Sequence, residues 1–102
     1  MASPEIDKID DVIHGRLRLG MMAHLANAET ASFTELKTLL GATQGNLSIQ
    51  MRKLEDAGYI KVEKRFEGRK PLTTLRITSQ GRAAMERYLE ALSSVLGIAP
   101  KR

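Results

Sequence analysis

The chain of 102 residues has a net charge of +4, 42% hydrophobic and 27% charged residues, the composition of one soluble globular domain. It has no cysteine, which excludes disulfides, zinc–thiolate sites and thiol redox sensing and fits a reducing cytoplasm. The acidic N-terminus lacks the apolar core of a signal peptide and no apolar run approaches the roughly 20 residues that span a bilayer, so we expect a cytoplasmic protein without a membrane partner.

The first predicted element is a helix over residues 4–28, which Ser3 caps and Pro4 begins. Isoleucine and valine recur at helical spacing in its first half, and leucine and methionine continue the apolar stripe in its second half. We expect a break at His14-Gly15, because glycine weakens a helix interior by about 1 kcal/mol.

Three further helices are predicted by their caps, a threonine before the first turn and a glycine after the last. They cover residues 35–40, 44–57 and 79–96, and the cap pairs are Thr34 with Gly41, Thr43 with Gly58, and Thr78 with Gly97. Ala31-Ser32-Phe33 is expected to form a short strand before them. β-Branched and aromatic residues predict strands over 60–66 and 72–77, which a glycine-containing loop over 67–71 joins into a hairpin.

Positive charge is concentrated in residues 43–77, which contain the second of these helices and the hairpin. This segment has eight basic and four acidic residues, so its net charge equals that of the whole chain. Basic residues gathered on one structural unit are what a protein needs to approach a phosphate backbone.

Several short motifs follow one another over about 70 residues: Ile13-His14, Arg18-Leu19, Phe33–Leu36, Gly45–Ser48, Leu54–Ile60, Glu67–Pro71 and Thr74–Arg82. In this order they resemble the winged-helix transcription regulators, in particular small MarR-like and ArsR-like bacterial repressors. The resemblance implies a mainly α fold with a small antiparallel β-hairpin, a winged helix-turn-helix, as a single DNA-binding domain over residues 1–102. In this family the helix before the hairpin is the recognition helix and the hairpin is the wing.

On a helical wheel of the predicted recognition helix, Leu47, Met51 and Leu54 share one face, which we predict to be buried. The opposite arc would face the major groove of an inserted helix, where Asn46 is suited to hydrogen-bond adenine. Ile49, at the centre of this arc, is open to two interpretations. It contacts thymine methyl groups, or it is one of the single exposed apolar residues that protein surfaces commonly have.

The predicted DNA-binding residues lie on this arc and around the tip of the wing. They are Gln44, Gly45, Asn46, Ser48, Ile49, Arg52 and Lys53 on the helix, and Lys64, Arg65, Arg69 and Lys70 on the wing. Arginine at a wing tip suits a narrow, A·T-rich minor groove. The alternative interpretation of the wing charges is a solvated hairpin whose lysines prevent edge-to-edge aggregation.

The first and last helices have more apolar surface than one small domain needs, which predicts a two-fold homodimer. Residues 4–28 and 79–96 are expected to form its interface, through Ile6, Ile9, Ile13, Met85, Tyr88, Leu89, Leu92 and Leu96. The alternative is that both stripes only cover the core of their own chain.

No motif in the sequence indicates an enzyme, a cofactor or a metal site. The two histidines, His14 and His24, are ten residues apart, and the glycines near residue 45 lack the lysine of a phosphate-binding loop. MarR-like regulators often bind a small-molecule effector. Only the methionines here would suit an apolar ligand, and they are more typical of a core.

The predicted function is therefore that of a sequence-specific, double-stranded-DNA-binding transcription regulator, expected to repress as a homodimer on an inverted-repeat operator. Since a fold does not dictate its use, a winged-helix module for contacts with protein or RNA is the alternative.

Overall fold

A computed structural model describes residues 6–98, and over this range the chain forms four α-helices and a three-stranded antiparallel sheet. After a 3-10 helix at Ile6–Lys8, the elements are α1 (Arg16–Ala28), β1 (Thr30–Ser32), α2 (Phe33–Leu40), α3 (Gln44–Asp56), β2 (Ile60–Glu67), β3 (Lys70–Ile77) and α4 (Ser79–Leu96). The predicted fold class is confirmed, with α2 and α3 as the helix pair and the β2–β3 hairpin as the wing. The fold is elongated, measuring 54 Å along its longest axis and 27 and 22 Å along the others.

The N-terminal segment departs from the prediction of a helix over residues 4–28. From residue 6 onward, the single 3-10 turn at Ile6–Lys8 is the only helical stretch before α1 begins at Arg16. The predicted break is present, since Gly15 adopts an extended conformation (φ −152°) immediately before α1. The predicted start at Ser3-Pro4 lies outside the described residues.

Asp10 explains why the segment turns instead of continuing as a helix. One oxygen of its carboxylate accepts hydrogen bonds from the backbone N–H groups of Val12 (2.8 Å) and Ile13 (3.3 Å). Its other oxygen accepts a hydrogen bond from the hydroxyl of Tyr59 (2.5 Å), which follows α3. A side chain that pairs with nearby backbone groups in this way competes with helix formation. Residues 9–15, which we call the N-terminal strap, therefore form no helix and are hydrogen-bonded through Asp10 to Tyr59, after α3.

Local capping sets the beginnings of the remaining helices. Thr43 and Thr78 cap α3 and α4 as predicted, each accepting a hydrogen bond from the N–H three residues later. The predicted cap of α2 is wrong. Ser32 rather than Thr34 occupies this position and accepts from the N–H of Glu35 (3.0 Å), so α2 begins at residue 33.

The sheet has the strand order β1-β3-β2, and its wing is longer and tighter than predicted. Strands β2 and β3 pair from Ile60 and Ile77 at the base to Glu67 and Lys70 at the end. The predicted loop over residues 67–71 is therefore wrong, because the connection is only the two residues Gly68-Arg69. The φ of Gly68 is +66°, as the first position of a type II′ hairpin turn requires.

The hydrophobic core lies between the helices and the base of the sheet, with contributions from every helix. Side chains with no exposed surface include Met21, Met22, Leu25, Leu36, Leu47, Leu54 and Leu75. Gly81 lets α4 approach the end of α3, because a Cβ atom there would lie 2.2 Å from the carbonyl oxygen of Tyr59. This contact explains a glycine in the first turn of α4.

Burial in the chain's own core separates the predicted dimer residues into two groups. Ile13, Met85 and Tyr88 are buried, at 0%, 7% and 1% exposure, so intramolecular packing already accounts for them. The surface that remains for a partner is Ile6, Ile9, Leu89, Leu92 and Leu96, of which Ile6, Leu89 and Leu96 are exposed.

Candidate nucleic-acid interface

Helix α3 has one buried side and one exposed side, as its periodicity predicts. Leu47 and Leu54 have no exposed surface and Met51 retains 9%, so these three residues attach the helix to the core. The opposite side is exposed at Gln44, Gly45, Asn46, Ile49, Arg52 and Lys53, and Ser48 is half-buried at its edge. Ile49 is 57% exposed and takes no part in the core.

The first turn of α3 combines a side-chain cap with an open surface. Thr43 Oγ1 accepts a hydrogen bond from the N–H of Asn46 (3.2 Å). Gly45 has no atom of another element within 4 Å of the position of a Cβ. A ligand can therefore approach the backbone of this turn closely, at the end of the helix where backbone N–H groups favour an anion.

A chain of side-chain hydrogen bonds connects Asn46 to the N-terminal strap. The amide nitrogen of Gln50 donates to Oδ1 of Asn46 (3.1 Å), and a guanidinium N–H of Arg18 donates to Oε1 of Gln50. Arg18 also donates through Nε to the carbonyl oxygen of Val12 (2.5 Å) and through Nη2 to that of Asp11 (3.4 Å). One arginine of α1 thus holds the strap and the recognition helix together.

Arg18 is a residue that the sequence analysis did not assign to the site. A groove of about 450 Å³ lies beside it, lined by Asp11, Val12, Arg18, Lys53, Asp56 and Ala57. The sequence signal was weak, because Arg16 and Arg18 both lie in the first turn of α1, and arginines there are also typical of a solvated face. Only the three-dimensional contact with Gln50 reveals that it orients the side chain of Asn46.

The basic side chains of the wing that were predicted to bind DNA are exposed to solvent. Lys64, Arg65, Arg69 and Lys70 are all exposed, and the two-residue turn brings Arg69 to the end of the hairpin. Phe66, which the sequence analysis also did not assign, is 74% exposed among them.

The basic residues of α3 and the wing that were predicted to bind DNA form no ion pair between residues 6 and 98. Between residues 6 and 98, the ion pairs are His24 with Glu35 (3.0 Å) and Arg76 with Glu29 (2.8 Å), and neither involves a predicted DNA-binding residue. Both pairs are partly solvated, so each adds little to stability. The positive charge of α3 and the wing is thus available to an external anion.

Residues 6–98 contain no group of three or more histidine, aspartate or glutamate side chains arranged to hold a metal ion. Within the same range, every helix is too short or too polar to cross a membrane.

A helix pair whose second member exposes a polar, basic side, followed by a basic wing, defines a winged-helix DNA-binding domain. The family model of the winged helix DNA-binding domain matches residues 17–96, and the chain belongs to this family. The resemblance to winged-helix transcription regulators is confirmed.

The relatives found by comparison agree with this assignment. The chain is 31% identical over 78 residues to the uncharacterized protein MJ0432 of Methanocaldococcus jannaschii, a match covering 76% of this chain and 85% of the relative. It is also 31% identical to a transcriptional regulator homologue of Pyrococcus horikoshii OT3, whose structure superposes with a TM-score of 0.86 over 93% of this chain and 96% of the other.

A more distant likeness concerns the fold alone. The structure of overoxidized AbfR bound to DNA superposes with a TM-score of 0.73 at 19% identity, over 89% of this chain and 66% of AbfR.

Proposed function

We propose that this protein is a sequence-specific regulator of transcription that binds an inverted-repeat operator in double-stranded DNA as a homodimer and represses. The observation that carries the proposal is the exposed side of α3, which is polar and basic and continues directly into a basic, exposed wing. This chain shares the fold of AbfR, and the structure of AbfR was determined with DNA bound.

The two elements are suited to different parts of the duplex. An α-helix fits the major groove, where the donors and acceptors of Asn46 match adenine and Arg52 or Lys53 match guanine or phosphate. The wing offers Arg65 and Arg69 to phosphates or to a narrow minor groove. We therefore assign base selection to α3 and mainly sequence-independent affinity to the wing.

The homodimer is supported by apolar surface that the chain's own core leaves uncovered. Leu89 and Leu96 on α4 are 54% and 62% exposed, and they flank the buried face of that helix together with the half-buried Leu92. Exposed apolar residues at helical spacing favour packing against a second helix. Two-fold pairing would present two recognition helices to half-sites about 34–36 Å apart, one turn of DNA.

Selection of bound duplexes from a random pool, followed by mobility shifts with specific and unrelated DNA, tests the DNA-binding proposal. We expect an inverted repeat to be enriched. Asn46→Ala should reduce discrimination between the two duplexes, whereas Arg65→Ala should weaken binding to both by a similar factor. Arg87→Ala, which removes an exposed arginine of α4, is the matched control and should change neither.

Three outcomes would contradict the proposal. Salt-sensitive binding without sequence preference would indicate a packaging or RNA-binding role. Tighter binding to single-stranded RNA than to any duplex would favour the RNA module directly. An absence of binding to every nucleic acid would leave a protein-interaction module as the function.

Light scattering after size exclusion tests the homodimer separately. We expect twice the chain mass for the wild type at micromolar concentration and a shift toward the monomer for Leu89→Glu. Leu39→Glu is the control, because Leu39 is similarly exposed, at 57%, but lies on α2 outside the predicted interface. A monomeric wild type would refute the dimer.

Repression is tested by transcription in vitro from a promoter that overlaps the selected operator. Adding the protein should lower transcript yield, and an increase would identify an activator instead.

A further inference from the structure

Phe66 lies one residue before the end of β2 and is 74% exposed, more than any other large hydrophobic side chain between residues 6 and 98. A single exposed apolar residue is common on protein surfaces and is not informative by itself. The position and neighbours of Phe66 distinguish it from the others.

The alternation of β2 places Phe66 on the face of the hairpin that begins in the core. Ile60, Val62 and Lys64 precede it on that face, and exposure increases along the series from buried through half-buried to exposed. Across the hairpin, Phe66 is paired with Pro71, which is also exposed. Phe66 and Pro71 therefore form an apolar pair near the tip, separated from the core by the polar pair of Lys64 and Thr73.

Basic residues outnumber acidic ones around the apolar pair, four to one, and the one carboxylate within two residues of it is that of the exposed Glu67. Lys64, Arg65, Arg69 and Lys70 are all exposed within two residues along the chain of one member of the pair. Such a combination suits a surface with phosphates on the outside and apolar deoxyribose and base edges within. The minor groove of duplex DNA has this structure, and apolar side chains such as phenylalanine act as wedges between its base steps.

The geometry of the tip fits that groove. A minor groove about 6 Å wide excludes a helix but accepts side chains from a narrow support. The two-residue turn at Gly68-Arg69 makes the end of the wing as narrow as a two-stranded hairpin allows.

We propose that Phe66 enters the minor groove beside the half-site contacted by α3 and packs against deoxyribose and a base step, while Arg65 and Arg69 hold the flanking phosphates. This inference rests on the proposed function, adds Phe66 to the contact surface and decides between the two positions of the wing in favour of the minor groove. It assigns the wing a share in specificity, because pyrimidine–purine steps open at lower cost than others.

A tryptophan at this position reports the contact directly, since the chain contains no tryptophan of its own. In F66W, acrylamide should quench the free protein efficiently and the protein bound to the selected duplex several-fold less. Binding is followed in the same sample by the anisotropy of labelled DNA. I98W places the same fluorophore at an exposed site after α4, and its quenching should not change.

Two further measurements identify the groove and the energetic effect. Netropsin, a minor-groove ligand, should restore acrylamide access in F66W bound to an A·T-rich site. Phe66→Ala should weaken binding roughly tenfold, the range found when an aromatic side chain that stacks on a base is removed.

The outcomes separate this inference from the proposed function. A wild type that binds the duplex while bound F66W stays accessible to acrylamide refutes the inference alone, and so does shielding that netropsin does not reverse. A wild type that binds no duplex refutes both. Loss of binding in Phe66→Ala through a damaged hairpin would not mimic a positive result, because shielding is measured in F66W.

Discussion

Replacing Gly45 with alanine should stabilise the protein and weaken its binding to DNA. Gly45 is the second residue of α3, and a Cβ there meets no atom of another element within 4 Å, so the methyl group enters open solvent. Alanine favours a helix over glycine by up to about 1 kcal/mol, and we expect about 0.5–1 kcal/mol this close to the helix start. For a domain of this size, that gain raises the melting temperature by about 2–8 °C.

The effect on DNA binding should have the opposite sign, because we propose that the duplex approaches through the same open space. Gly45 lies between the exposed Gln44 and Asn46, and a methyl group there would hold α3 away from the groove. Losing one well-formed contact to a base or phosphate removes about 1–3 kcal/mol, a roughly 5- to 100-fold loss of affinity.

Thermal unfolding followed by circular dichroism measures the first effect, and the anisotropy of labelled operator DNA measures the second. A variant that is more stable but binds DNA as tightly as the wild type would remove this turn from the contact surface. A variant with a lower melting temperature would contradict the placement of Gly45 in an unobstructed helix.

Gly81→Ala should instead destabilise the fold by about 1–3 kcal/mol, because its Cβ would lie 2.2 Å from the carbonyl oxygen of Tyr59. A denaturant titration measures this loss, and a stabilised variant would refute the close approach. Arg69→Ala should reduce the slope of log affinity against log salt by about 1 per bound chain, and an unchanged slope would exclude its phosphate contact. Burial, followed by the hydrogen bond and charge of Asp10, raises the pKa of Tyr59 from 10.0 to about 12. The associated stability is therefore complete below pH 10 and is lost as the pH rises through about 12. Ultraviolet titration of a Tyr88→Phe variant isolates Tyr59, and a midpoint near pH 10 would contradict its burial against Asp10.

The sequence predicted helices α3 and α4 almost to the residue because their boundaries are local. Thr43 and Thr78 each pair with an N–H only three residues away, and glycine residues follow the ends of the helices. Such interactions depend on neighbours along the chain and can be recognised without a tertiary structure. At α2, the prediction placed Ser32 in a strand and the cap at Thr34, whereas Ser32 itself caps the helix.

The N-terminal strap could not be predicted because a distant residue determines it. The spacing of Ile6, Ile9 and Ile13 is helical, and the carboxylate of Asp10 binds both nearby backbone N–H groups and the hydroxyl of Tyr59, 49 positions away. Apolar periodicity gives no information about that partner. Tertiary contacts therefore override a helical pattern here.

Arg18 and Phe66, which we assign to the site, were not predicted from the sequence for similar reasons. Arg18 belongs to the site through Gln50, which is 32 positions away, and Phe66 through the register of a hairpin whose tip is shorter than predicted. The prediction placed residues 67–71 in a loop, so it did not pair Phe66 with Pro71 across the hairpin. Residues on α3 were easier to find, because one helical wheel defines both their burial and their exposure.

Burial of three side chains determines which side of α3 is exposed, the side that we propose contacts DNA. Leu47, Met51 and Leu54 lie on one stripe, and rotating the helix by one residue, about 100°, would move this stripe toward solvent. Exposing a buried leucine or methionine costs about 1.5–3 kcal/mol each, so the rotated helix would be several kcal/mol less stable. The core thus selects the orientation of α3, and Arg18 then fixes Gln50 and with it Asn46. Removing the guanidinium of Arg18 should therefore alter sequence preference while leaving the burial of α3 unchanged.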